Sequence, residues 1–160
     1  MDTQSSTDLS WPPQKKLIAR ILYGAFFASV GMYLMFLTQV LAVDDPSQKT
    51  VPHAMVNGLN ILAGLTFVAT LICHKLFQKP ASSSPPSQQF FTALIVRFAL
   101  CESIAIYGLV LGFMGLGQSG YLPFFLVSAL AFFMAAPTDG AYERFVEPWR
   151  EQHRSDELER

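Results

Sequence analysis

Charge is what this chain has least of. Asp, Glu, Lys and Arg make up 14% of its 160 residues, against about 25% in an ordinary soluble domain. Eleven of those twenty-three charges crowd between Asp139 and Arg160, so long stretches elsewhere carry almost none. Cysteine is nearly absent as well. Cys73 and Cys101 have neither CxxC spacing nor a histidine cluster beside them, which removes the grounds for metal or dithiol chemistry and leaves both as small apolar residues. There is no basic surplus: the net charge is -1 and the aromatics lie in apolar runs, so nucleic acid is excluded as a partner. No nucleophile and base pair, metal cluster or phosphate loop is legible, and the chain is read as a non-enzyme without a cofactor.

What is there is hydrophobic sequence, 51% of the chain, gathered into runs. Crossing a bilayer as a helix takes about 20 mostly apolar residues. Four runs qualify, at 17–43, 54–73, 90–116 and 121–136. The first contains only Arg20, close enough to its start to snorkel, and is too long for a signal-peptide core. Pro52 precedes the second, and His74 and Lys75 follow it at the expected interface. Gly117-Gln118-Ser119-Gly120 joins the third and fourth and forces an antiparallel hairpin. A polar linker within 74–89, rich in Pro and Ser, separates two such hairpins. The expected fold is therefore all-α, an integral membrane bundle of four transmembrane helices, with a tail at 1–16 and a charged, amphipathic tail at 137–160.

Lys15, Lys16, Arg20, Lys75, Lys79, Arg144, Arg150 and Arg154 fall on one side of this arrangement, and only Lys49 on the other. By the positive-inside rule both ends face the cytoplasm, in a cell (inner) membrane. In the tail, Tyr142, Phe145, Val146 and Trp149 repeat at i, i+3, i+4 and i+7, an apolar stripe suited to lying on a surface, with Pro148 expected to bend or end it. His53 and His74 bracket one run, so the bilayer separates them.

Glu102 stands twelve positions into a 27-residue apolar run. A carboxylate that deep costs at least about 2.5 kcal/mol, so it must be protonated, paired or turned to a wet cavity. Two roles are open to it: a reversible proton or cation site, or a protonated carboxyl that merely bonds two helices together. Arg97 lies five positions earlier, roughly 140° away around the helix. It either snorkels to the cytoplasmic headgroups or acts as a counter-charge across a helix interface. Asn57 and Asn60, three apart, project to about one face. Counting depth along antiparallel helices brings them toward Tyr107, so Glu102, Tyr107, Asn57 and Asn60 form a candidate ion-binding cluster, with hydrogen bonding between helices as the alternative. Gly108 and Gly112 make a GxxxG pair for close helix packing within the chain or with a second copy.

The stretch Cys101-Glu102-Ser103-Ile104-Ala105-Ile106-Tyr107-Gly108-Leu109 resembles the carboxylate-bearing helix of rotary ATPase proteolipid (c) subunits, in which an ion-binding Glu is followed by small and aliphatic residues and then Tyr-Gly-Leu. The resemblance implies an ion site at Glu102 with Tyr107 as a hydrogen-bonding neighbour. Taken together, the sequence describes a multi-pass protein whose partners are the lipid bilayer and other membrane subunits or itself, with a membrane-embedded proton or cation-binding carboxylate. The alternatives are a structural or assembly subunit with no ion chemistry, and a small proton-coupled transporter.

Overall fold

The computed structural model describes residues 10–41, 51–78 and 84–158. The expectations for 1–9, 42–50, 79–83 and 159–160, among them the sites of Lys49 and Lys79, lie outside the described residues. All regular structure among the described residues is helical: α1 (Pro13–Leu41), α2 (His53–Phe77), α3 (Pro86–Phe113), α4 (Gln118–Met134) and α5 (Asp139–Leu158). Three of them, α1, α2 and α3, are long and apolar enough to cross a membrane, and a fourth span results if α4 and α5, bent by 60° at their junction, count as one.

The helices begin and end where local chemistry lets them. Pro13 and Pro86 occupy first-turn positions, where a missing N–H costs nothing. This carries α1 and α3 several residues further toward their N-termini than the apolar runs alone indicate. The turn between α3 and α4 lies earlier than Gly117–Gly120. Gly115 adopts φ 91°, its N–H donates to Gly112 O at 3.0 Å, and Leu116 N–H donates to Leu111 O at 3.0 Å. That paired closure of a helix C-terminus needs the left-handed region, which glycine enters without strain. Gln118 to Gly120 are consequently the first turn of α4. At the start of α5, Thr138 Oγ1 accepts a bond from Ala141 N–H at 3.2 Å, a side-chain cap on its first turn.

Pro148 does not end the tail helix; α5 continues through it. A proline cannot donate to the carbonyl four residues back, here Arg144. Gln78 at the end of α2 fills that gap, its Nε2 donating to Arg144 O at 3.4 Å and Phe145 O at 3.1 Å. The apolar stripe of the tail is buried against the bundle. Trp11 and Phe90 pack on Tyr142 at 5.3 and 5.2 Å between ring centroids, and Phe90 lies 5.2 Å from Phe145.

α3 is the hub, packed against α1, α2 and α4, with α4 also touching α1 and α2. Its inner side holds Phe98, Cys101, Ile104, Ala105 and Leu111, all fully buried. The GxxxG pair is filled from within the chain. A Cβ on Gly108 would meet Phe124 Cβ at 2.8 Å, and one on Gly112 would meet Leu37 Cδ2 at 2.8 Å, so the two glycines admit α4 and α1 respectively. The outer surface is markedly apolar: Phe133 is 79% exposed, Ile61 66% and Leu65 63%. Water-soluble domains rarely present apolar surface so continuously.

Candidate functional site

Glu102 is half-buried in the seam between α3 and α1. The two helices run parallel, and they bring two hydroxyls to one carboxyl oxygen. Ser29 Oγ lies 2.7 Å and Tyr33 Oη 2.8 Å from Glu102 Oε1. Ser29 and Tyr33 are four apart, on one face of α1. The other carboxyl oxygen, Oε2, makes no hydrogen bond among the described residues.

Ser29 has a second close neighbour, since its Oγ also stands 2.7 Å from Phe26 O. A hydroxyl has one proton to donate and lone pairs with which to accept. The same heavy-atom positions therefore serve two proton arrangements. With the carboxylate charged, Ser29 and Tyr33 both donate to Oε1. With the carboxyl protonated, its O–H donates to Ser29 Oγ, and Ser29 donates instead to the Phe26 carbonyl. Gaining or losing the proton requires a hydroxyl rotation and no rearrangement of helices.

The remaining members of the expected cluster are elsewhere. Tyr107 faces α2, its Oη 3.4 Å from Thr66 Oγ1, so Thr66 rather than Asn60 stands at its level. Asn57 and Asn60 are exposed on the far side of α2, and neither is brought to Glu102. The structure supplies Ser29 and Tyr33 in their place. The signal in the sequence was a pair of hydroxyls spaced i, i+4 in an otherwise apolar run, at the same distance along α1 as Glu102 along α3.

Arg97 is not beside Glu102 either. Its Nη2 donates to Met134 O at 3.1 Å, one of the carbonyls left open where α4 stops. The guanidinium thus caps the break between α4 and α5, a favourable position for a cation at a helix C-terminus, while its buried Nε has no partner among the described residues. Cys73 and Cys101 are buried thiols, and Ser128 Oγ donates to Cys101 O at 2.7 Å, so this inner region is packing. Among the described residues no group of three or more His, Cys, Asp or Glu side chains is placed to hold a metal.

No protein-family model, curated protein or solved structure matches this chain. The functional reading rests on the geometry of the seam.

Proposed function

We propose that this chain is a multi-pass membrane protein whose Glu102 carboxyl exchanges a proton or monovalent cation inside the bilayer, as one component of a larger membrane assembly. The observation that carries the reading is the hydroxyl pair on Glu102. A carboxyl that served only to staple helices needs one satisfied proton arrangement, whereas Ser29, with acceptors at 2.7 Å on both sides, provides for two. Polar groups in hydrocarbon must find partners within the protein, and here the partners suit the charged and the neutral form alike.

In this reading α1, α2 and α3 cross the membrane, α4, at 17 residues, makes a short fourth span, and α5 lies over the cytoplasmic ends. Lys15, Lys16, Arg20, Lys75 and the α5 arginines gather at one end of the bundle. The opposite end, among the described residues, offers His53 and no Lys or Arg. That asymmetry supports cytoplasmic termini. Of the residues that carry the resemblance to rotary ATPase proteolipid subunits, the reading keeps Glu102 as the ion-binding group and gives Tyr107 to helix packing.

A second reading, a purely structural carboxyl, draws on the same bonds, because they also tie α1 to α3. Reaction with dicyclohexylcarbodiimide, which attacks protonated carboxyls in apolar surroundings, separates the two. The expected result is a single adduct on Glu102 whose rate of formation falls reversibly as the pH is raised, and no adduct in Glu102→Gln. A rate that does not respond to pH, or an absence of reaction in membranes and in detergent alike, would leave the structural reading in possession.

A further inference from the structure

Resting on that reading, we infer that the Glu102 seam binds a lipophilic monocation, such as a protonated hydrophobic amine, in exchange for the proton. Oε1 is committed to Ser29 and Tyr33, but Oε2 is unbonded among the described residues and the side chain is only half-buried. One turn toward the N-terminal end of each helix stand Ala25 on α1 and Ala99 on α3, both exposed. Neither side chain extends beyond a methyl group. One turn the other way, Met32 and Ile106 are 64% and 38% exposed and raise an apolar wall. The half-buried carboxyl is therefore bordered by exposed apolar residues, on a face that the proposed function turns toward lipid.

The charge balance selects the class of ligand. Apart from Glu102, Arg97 is the sole charged residue between Pro86 and Phe113, and α1 beyond Arg20, α2 before Lys75 and all of α4 have none. Arg97 is taken by the Met134 carbonyl. The titratable groups facing Glu102 from the packed elements reduce to Tyr33 on α1, which donates to it, while Cys101 on α3 is turned into the core. A single carboxylate without a protein counter-charge matches a ligand of charge +1. A bare metal ion is poorly served, since hard cations take about six or more oxygens and the seam presents Ser29, Tyr33 and Glu102. A cation sheathed in hydrocarbon needs no such shell, and its apolar body suits Met32 and Ile106.

The test uses the full chain purified in detergent, with tetraphenylphosphonium as the probe and tetraphenylborate, equal in shape and opposite in charge, as its control. The expected result is saturable phosphonium binding, one per chain, that strengthens with rising pH by up to about tenfold per unit, because one proton is displaced. Glu102→Gln should weaken it by at least about tenfold, Glu102→Asp should retain it, and thermal unfolding establishes that each variant is folded. Equal binding by Glu102→Gln, or equal binding of tetraphenylborate, would overturn the inference. Failure to bind phosphonium while carbodiimide still labels Glu102 would overturn it and leave the proton site standing; failure of both would remove the proton site as well.

Discussion

Arg97 and Glu102 are the two charged residues in the apolar stretch of α3, five positions apart, and the fold treats them oppositely. Arg97 is bonded to a backbone carbonyl at the broken end of α4, a partner that neither titrates nor moves without unwinding a helix. Glu102 is bonded to two hydroxyls whose protons can be redirected by rotation, and its second oxygen makes no hydrogen bond among the described residues. A cation that completes the backbone of its neighbour is part of the architecture. A carboxyl with rotatable partners is the group that the proposed function has changing state.

Removing the architectural charge should have the larger effect on stability. Arg97→Leu leaves the Met134 carbonyl without its donor, at a cost of about 1–3 kcal/mol, and the expected outcome is a lowered midpoint of thermal unfolding in detergent with Glu102 still reactive toward carbodiimide. Gln78→Leu probes the neighbouring repair of α5. It takes the donor from the carbonyls beside Pro148 and should cost about 0.5–1.5 kcal/mol, with proteolysis of α5 accelerated before any cleavage in the bundle.

Tyr33→Phe and Ser29→Ala each delete one hydroxyl from Glu102 Oε1. Donors to a carboxylate favour its charged form, so Tyr33→Phe, which removes a hydroxyl that only donates, should speed carbodiimide labelling severalfold, the equivalent of about 0.5–1.5 kcal/mol for the bond, while Ser29→Ala, which takes a partner from both forms, should alter it less; mass spectrometry of the adduct would measure both. Tyr107→Phe, whose hydroxyl belongs to the α2 interface, should leave that rate unaltered. The smallest effect on stability is expected for Glu102→Gln, which keeps the shape and can still hydrogen-bond Ser29 and Tyr33. Its unfolding free energy should stay within about 1 kcal/mol of the parent chain's, and a larger loss would move Glu102 over to the architectural side of the comparison.

Much of the helical architecture was legible because long apolar runs admit few other solutions, and the three longest runs coincide with α1, α2 and α3. Their ends were harder to read. Pro13 and Pro86 extend helices that hydropathy alone would start later, Gly115 takes the turn expected at Gly117–Gly120, and Pro148 is accommodated where Gln78, about seventy residues away in sequence, reaches the Arg144 carbonyl it frees. The site divides in the same way. Glu102 stands out by its charge, but its partners come from α1, a parallel neighbour, and no spacing within α3 announces them. The register of α2 against α3 is likewise a packing outcome, which places Thr66 at Tyr107 and leaves Asn57 and Asn60 outside.

Infrared difference spectroscopy of the purified protein between acid and alkaline pH tests the central claim most directly, because a protonated carboxyl in an apolar site has a carbonyl stretch that the carboxylate lacks. A band that appears and disappears reversibly with pH in the parent chain and is missing from Glu102→Gln is the result the account predicts. A spectrum in which Glu102 contributes no pH-dependent carbonyl band, with parent and variant indistinguishable, would contradict it.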